Sequence, residues 1–150
     1  MTLKQRLEND IKAALLGGDR FAAEVLRGLK SVILYEEVAL KRREDGLNDD
    51  EIELLFAKEV KKRDESAELF ERGGNQQAAD KERAEKKIIL GYLPEPLSEQ
   101  ELREKLAAII TEKKAQGPQQ MGMVLGALKS EYGSRVNGAL AAKIAKELLS

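Results

Sequence analysis

The chain has 150 residues, with 26 Lys and Arg against 27 Asp and Glu, 42% hydrophobic residues, 4% aromatic residues, and no His or Cys. The missing side chains exclude thiol and imidazole catalysis, Cys/His zinc sites and disulfides, and the net charge of −1 argues against an indiscriminate nucleic-acid binder. The length fits one domain or two small ones. No uncharged apolar run approaches the roughly 18 residues of a membrane span, and no signal-peptide pattern opens the chain, so we expect a soluble cytoplasmic protein.

Apolar residues recur at spacings of three and four almost throughout, so the pattern predicts an all-α protein with seven helices. Thr2 and Gln5 form a capping-box pattern at the start of the first helix, which ends at Gly17-Gly18. Asp19 is placed to cap a second helix that continues to about Glu44. The apolar stripes of these two helices are Leu3, Leu7, Ile11 and Leu15, followed by Val25, Leu29, Val32, Ile33 and Leu40.

Two further helices are predicted before the first proline. Asn48 and Glu51 begin a long third helix, and Gly73-Gly74 ends it. A fourth helix runs from about Gln76 to Tyr92. The two long helices, 19–44 and 48–72, are expected to form an antiparallel hairpin. The stripe of the third helix is Ile52, Leu55, Phe56, Val60, Ala67 and Phe70.

Charged residues on these helices are spaced for ion pairing. Acids precede bases by four residues, which is the stabilising order on an exposed helix face. We therefore expect most of the charge to lie on solvated helix surface. The pairs are Glu37/Lys41, Glu59/Arg63, Glu68/Arg72 and Glu82/Lys86.

The segment Leu93-Pro94-Glu95-Pro96-Leu97 predicts a domain boundary, because its two prolines remove backbone donors and favour extended conformations. We place an N-terminal four-helix domain at 1–94 and a C-terminal three-helix domain at 95–150. Ser98 and Glu101 form a capping box for a fifth helix that ends at Gly117-Pro118, and Asn137 can cap the last helix. The apolar stripe of the fifth helix is Leu102, Leu106, Ile109 and Ile110. A sixth helix has the stripe Met121, Val124, Leu125 and Leu128, and the last helix has Leu140, Ile144 and Leu148.

Few residues suggest catalysis. Glu82 and Glu85 share a helix face and could act as acid and base or hold a hard cation, but a protein rich in Glu forms such pairs by chance. The glycine pairs at 17–18 and 73–74 follow helices, so we expect them to end helices rather than cradle a phosphate. We predict no catalytic residues, no metal site and no cofactor. The phenylalanines Phe21, Phe56 and Phe70 fall on apolar stripes and are expected in the core rather than as base-stacking platforms.

Two glycines on the sixth helix leave its backbone bare. Gly122 and Gly126 lie one turn apart, and each costs a helix about 1 kcal/mol relative to Ala, so something is expected to approach closely. The candidates are another helix, which the neighbouring alanines favour, and an RNA backbone.

A modest positive patch follows these glycines. It contains Lys129, Arg135, Lys143 and Lys146, and only Glu131 and Glu147 oppose it. Such a patch suits weak, salt-sensitive phosphate contacts, although an ordinary helix surface explains it as well. The candidate RNA-binding residues are Gly122, Gly126, Lys129, Arg135, Lys143 and Lys146.

The order of several short motifs resembles the GatB/YqeY family, and the resemblance covers nearly the whole chain. The motifs are Glu82-x-x-Glu85, Ile88-Ile89, Tyr92-Leu93-Pro94-x-x-Leu97-Ser98 and Met121-Gly122, with Leu26-Arg27, Ser31, Glu36, Lys58, Lys61, Arg63, Glu65, Ser66 and Phe70 upstream. Three places depart from the family pattern, namely Lys86, Glu95 and Asn137-Gly138.

The resemblance implies a two-domain all-α protein whose C-terminal domain is similar to the tail of the B subunit of the tRNA-dependent Asp/Glu amidotransferase, a tail that contacts tRNA. The catalytic domain of that subunit lies outside the shared region, so carbon-nitrogen ligase activity with glutamine as amido donor is not supported by these residues. We predict a non-catalytic accessory protein that associates with tRNA or another RNA. The alternatives are a module that docks a protein partner through the N-terminal hairpin, and an auxiliary factor of tRNA transamidation that binds an amidotransferase. No membrane partner is expected.

Overall fold

A computed structural model describes all 150 residues. It contains seven α-helices, two short 3-10 turns and no β-strand, which confirms the all-α prediction. The chain divides into two compact units, Met1–Leu93 and Pro94–Ser150. None of its helices is both long enough and apolar enough to cross a membrane.

Four helices form the N-terminal unit, and each begins at a side chain that accepts a hydrogen bond from a free N–H of the first turn. Thr2 with Gln5 and Asn48 with Glu51 make the two predicted capping boxes. Asp19 and Asn75 cap the other two helices. The helices are α1 (Leu3–Leu16), α2 (Arg20–Ala39), α3 (Asp49–Arg72) and α4 (Gln76–Leu90).

The second helix ends at Ala39 rather than at about Glu44. Lys41 takes a left-handed conformation with φ of 57°, and the N–H of Arg42 donates to the C=O of Glu37 at 2.8 Å. This bond pattern ends many helices, usually with Gly at the left-handed position. Because a lysine stands there instead, the sequence carries no visible stop signal.

The predicted pairing of α2 with α3 is wrong. The structure packs α1 mainly against α2, and α3 mainly along α4. The tight turn at Gly73-Gly74 folds α4 back onto α3, whereas the longer segment 40–48 lets α3 leave α2. The long helical hairpin of this unit is therefore formed by α3 and α4.

The core of the N-terminal unit contains most of the predicted stripe residues. Leu15, Leu40 and Phe70 are exceptions, since all three are exposed. Each lies in the last turn of its helix or just beyond it, where no neighbouring helix covers it. The buried cluster is Leu7, Ile11, Val25, Leu26, Leu29, Ile33, Leu47, Ile52, Phe56, Ile89 and Tyr92.

Tyr92 connects the end of α4 to α1. Its hydroxyl donates a hydrogen bond to Asp10, Arg6 lies over its ring at 4.4 Å from the centroid, and its ring meets Phe56 edge-on. Burial and the neighbouring Asp10 carboxylate raise the pKa of the phenol. The Tyr-Leu-Pro motif therefore begins with a residue that holds the helical unit together.

Three helices form the C-terminal unit. The capping box of Ser98 and Glu101 and the Asn137 cap are present as predicted. The predicted fifth helix ends at Lys113, earlier than the predicted Gly117-Pro118, because Lys114 takes a left-handed conformation. The elements are α5 (Glu99–Lys113), a 3-10 turn (Pro118–Gln120), α6 (Met121–Tyr132), a second 3-10 turn (Gly133–Arg135) and α7 (Gly138–Leu149).

The core of this unit forms where α5, α6 and α7 pack on one another. Two alanines of α7, Ala141 and Ala145, are fully buried in this core. The four-residue spacing predicts Leu148 on the stripe of α7, but Leu148 is exposed and Leu149 is buried instead. The buried cluster is Leu97, Leu102, Leu106, Ile109, Ala115, Val124, Leu128, Ala141, Ile144, Ala145 and Leu149.

Candidate nucleic-acid interface

The bare backbone of α6 faces open space. Gly122 and Gly126 lie one turn apart on the exposed side of the helix, and a Cβ atom added at either position would meet nothing within 4 Å. The explanation by close packing of another helix is therefore wrong within this chain. Two glycines weaken α6 without a contact in the chain that requires them.

Lys129 lies on the same exposed side of α6, three residues after Gly126. Its Nζ is 3.8 Å from the position that a Cβ on Gly138 would take, so the ammonium lies beside the first residue of α7. Asn137 caps that helix by accepting a hydrogen bond from the N–H of Leu140 at 3.1 Å. The N–H groups of Gly138 and Ala139 have no partner inside the helix, as is usual for a first turn. Positive charge and free donors thus lie together at this helix start.

Two further cations lie on the exposed side of α7. Lys143 and Lys146 are three residues apart and solvent-exposed. Neither of them, nor Lys129, takes part in any ion pair of the chain. Lysines without carboxylate partners are available for an external anion.

Arg135 has a different role from these three lysines. Its Nε donates to the C=O of Glu95 at 2.9 Å, and its own C=O accepts from the N–H of Leu97 at 2.8 Å. Its charge also contributes to lowering the pKa of Glu101, although backbone and side-chain hydrogen bonding with Ser98 contributes more. Arg135 therefore fixes the segment that leads into α5, and it belongs to the patch only in part.

The two carboxylates near the patch, Glu131 and Glu147, reduce its positive charge less than the sequence predicts. Glu147 forms an ion pair with Arg103 at 2.8 Å, and Arg103 also pairs with Glu99 at 3.3 Å. Glu131 remains exposed and unpaired near the end of α6. On α6 and α7, three lysines and one carboxylate, Glu131, thus form no ion pair.

Glu82 and Glu85, the sequence candidates for acid–base or cation chemistry, lie against Arg63 between α3 and α4. The Nε of Arg63 is 3.7 Å from Glu85, and its Nη1 donates to Glu59. Partial burial and the nearby Glu85 charge raise the pKa of Glu82. No group of three His, Cys, Asp or Glu residues is arranged to hold a metal ion. These carboxylates are arranged around a guanidinium that joins two helices.

Two carboxylates that the sequence places on solvated helix surface are buried. Glu37 and Glu59 are each only 5% exposed, and Glu37 bonds to Lys4 and the N–H of Leu47 rather than to Lys41. Their spacing is a signal that could have found them. Glu37 stands four residues after the buried Ile33, and Glu59 stands three after the buried Phe56, so both fall on apolar stripes.

An exposed apolar stripe remains on α2 in the N-terminal unit. Leu34, Tyr35 and Val38 lie on the face of α2 that no other helix covers, and Tyr35 is 77% exposed. Large exposed apolar residues grouped on one surface are typical of protein-binding surfaces.

The Yqey-like protein family matches residues 4–149 of the chain. A relative named "Altered inheritance of mitochondria protein 41, mitochondrial", from Lachancea thermotolerans, is 29% identical over 114 residues, which cover 75% of this chain and 60% of the relative. The match thus spans less than two thirds of the relative's length. Because the name of that relative places it in mitochondria, a cytoplasmic location for this chain stays a prediction.

Proposed function

This chain belongs to the Yqey-like protein family, and we propose that it is a non-catalytic RNA-associated protein whose C-terminal unit contacts tRNA or another folded RNA. The observation that carries the proposal is that three exposed lysines of the C-terminal unit form no ion pair, namely Lys129 on the open side of α6 and Lys143 and Lys146 on α7. The similarity of this region to the amidotransferase tail supports the choice of RNA as the anion.

The three lysines act as point charges for phosphates. Lys129 and the first turn of α7 offer one phosphate an ammonium and backbone N–H donors, while Lys143 and Lys146 offer charges on the neighbouring helix surface. Neutralising about three phosphates gives weak binding, with a slope of log K against log salt of about −2 to −3. The formal net charge of −1 is compatible with such local binding, because the patch is confined to one unit.

Fluorescence anisotropy with labelled total tRNA tests the proposal at low and at moderate salt. The triple variant Lys129→Ala, Lys143→Ala and Lys146→Ala is expected to lose most of the binding and most of the salt dependence. A matched control removes the same charge from exposed, unpaired lysines of the N-terminal unit, namely Lys58, Lys61 and Lys87. Absence of binding by the unsubstituted chain, or equal losses in both triple variants, would refute the proposal.

A second candidate function is docking of a protein partner on the N-terminal unit. The specific observation in its favour is the exposed stripe Leu34, Tyr35 and Val38 of α2. Val38→Asp is expected to abolish capture of such a partner in a ribonuclease-treated pulldown. Leu54→Asp, an exposed leucine of α3, is the control. If ribonuclease treatment abolishes capture by the unsubstituted chain, the association is mediated by RNA instead.

A further inference from the structure

The C-terminal unit has no free planar side chain on which a nucleobase could stack. Tyr132 is the only aromatic residue between 94 and 150. Its ring packs against the core of the unit, and Lys105 lies over it with the Nζ 5.4 Å from the ring centroid. Sequence-tolerant binding of single strands depends on aromatic or guanidinium planes that stack on splayed bases. The ring of Tyr132 is therefore not free to stack on a nucleobase.

Both guanidinium groups of the unit are in use as well. Arg103 forms ion pairs with Glu99 at 3.3 Å and Glu147 at 2.8 Å. Arg135 donates to the C=O of Glu95. The cations left for a ligand are lysines, which contact phosphates without reading bases.

Three separate lysines on two helices favour a ligand whose phosphates are already fixed in space. Lys129 is held beside the start of α7, while Lys143 and Lys146 project from the exposed side of that helix. A duplex presents its phosphates in a rigid array, whereas a single strand must be ordered at an entropic cost before it meets three separate charges. The duplex therefore offers its phosphates without the ordering cost that a single strand incurs.

From these observations, and on the premise of the proposed function, we infer that the lysine site takes double-stranded RNA, bound through its sugar–phosphate backbone without base recognition. The minor groove of A-form RNA is wide and shallow and displays 2′-hydroxyl groups. The open side of α6 adjoins Lys129, and its bare backbone at Gly122 and Gly126 lets the helix approach such a groove without side chains in between.

The test is fluorescence anisotropy of the full chain with a labelled RNA duplex of about 16 base pairs, with each separated strand, and with a second duplex of unrelated sequence. Each RNA duplex is expected to bind about tenfold more tightly than either strand, and the two duplexes are expected to bind alike. Gly126→Leu is expected to weaken duplex binding about tenfold, since its side chain occupies the open face. The control, Gly28→Leu, places the same side chain at an exposed glycine of α2 that also has open space around it.

The outcomes separate this inference from the proposed function. Single strands that bind as tightly as the duplex, through the same three lysines, would overturn the inference and leave the proposed function standing. A marked preference between the two duplex sequences would overturn it too, because backbone contacts carry no sequence information. If no RNA binds at all, the proposed function itself fails. Thermal melting of both glycine variants, followed by circular dichroism, shows that each is folded.

Discussion

Glu37 of α2 accepts a hydrogen bond from Lys4 of α1 across the interface between the two helices. The same carboxylate oxygen accepts a second hydrogen bond of 2.8 Å from the N–H of Leu47. One buried carboxylate therefore joins α1, α2 and the segment that leads into α3. Arg42 adds to this arrangement by bonding both Glu51 and the C=O of Gly46.

Replacing Glu37 by Ala is expected to lower the free energy of unfolding by about 2–3 kcal/mol. The substitution leaves the buried N–H of Leu47 without its acceptor and removes the partner of the partly exposed Lys4 ammonium. Urea unfolding followed by circular dichroism measures the change. Glu44→Ala, which removes an exposed carboxylate of the same segment, is the control and is expected to stay within about 0.5 kcal/mol. Equal effects of the two variants would contradict the structural role of Glu37.

The stabilisation by Glu37 is expected to depend on pH. Burial raises the pKa of this carboxyl. Hydrogen bonds from Lys4 and Leu47, together with the charges of Lys4 and Arg42, lower it by more, so the pKa lies below its usual 4.5. A group with a lowered folded-state pKa stabilises above its unfolded pKa and loses that effect as pH falls through the folded pKa. The stability gap between the unsubstituted chain and Glu37→Gln should therefore be full at neutral pH and shrink below about 4.5. A gap that stays constant down to acid pH would argue against this.

Local signals were predictable from the sequence, and long-range contacts were not. Thr2 with Gln5 shows a helix start because both partners lie within four residues of each other. The end of α2 was not predictable, because Lys41 takes a left-handed conformation that sequence patterns associate with Gly. The partner of the buried Glu37 carboxylate is Lys4, which is 33 residues away. In the candidate site, the lysines were visible as charges, but the position of Lys129 beside Gly138 and the engagement of Arg135 by Glu95 required the fold.

Gly46 is expected to tolerate no side chain. Its φ is +75°, and a Cβ there would lie 2.5 Å from the Nζ of Lys4 and 3.0 Å from Glu37. Gly46→Ala is expected to cost more than the about 1–2 kcal/mol of left-handed strain alone, because the Lys4–Glu37 pair must also move. Gly74→Ala measures the strain alone, since Gly74 has a φ of +80° with open space around it. Urea unfolding of both variants gives the comparison, and an equal loss would show that the contact with Lys4 has no effect.

The glycines of α6 are expected to lower stability in return for access to the helix backbone. Gly122→Ala and Gly126→Ala should each raise the free energy of unfolding by up to about 1 kcal/mol, because neither Cβ meets a neighbour. Both should weaken RNA binding. Gly28→Ala is the matched control on α2, where the Cβ also meets nothing within 4 Å; it should stabilise without changing RNA affinity. Thermal melting and anisotropy on the same samples check both effects, and unchanged RNA affinity in the α6 variants would contradict a role for the open face.

Glu82 is expected to change stability with pH in the opposite direction to Glu37. Its pKa is raised above the usual 4.5, first by burial and then by the negative charge of Glu85, although Arg63 acts against both. A carboxyl with a raised folded-state pKa holds its proton more tightly in the folded chain, so stability falls as pH rises from about 4.5 through the folded pKa. Glu82→Gln, which stays neutral, should therefore be more stable than the unsubstituted chain at neutral pH. Urea unfolding across the acid range should show this advantage disappearing towards pH 4.5. An advantage that grows on acidification would mean that Arg63, rather than burial and Glu85, dominates the environment of Glu82.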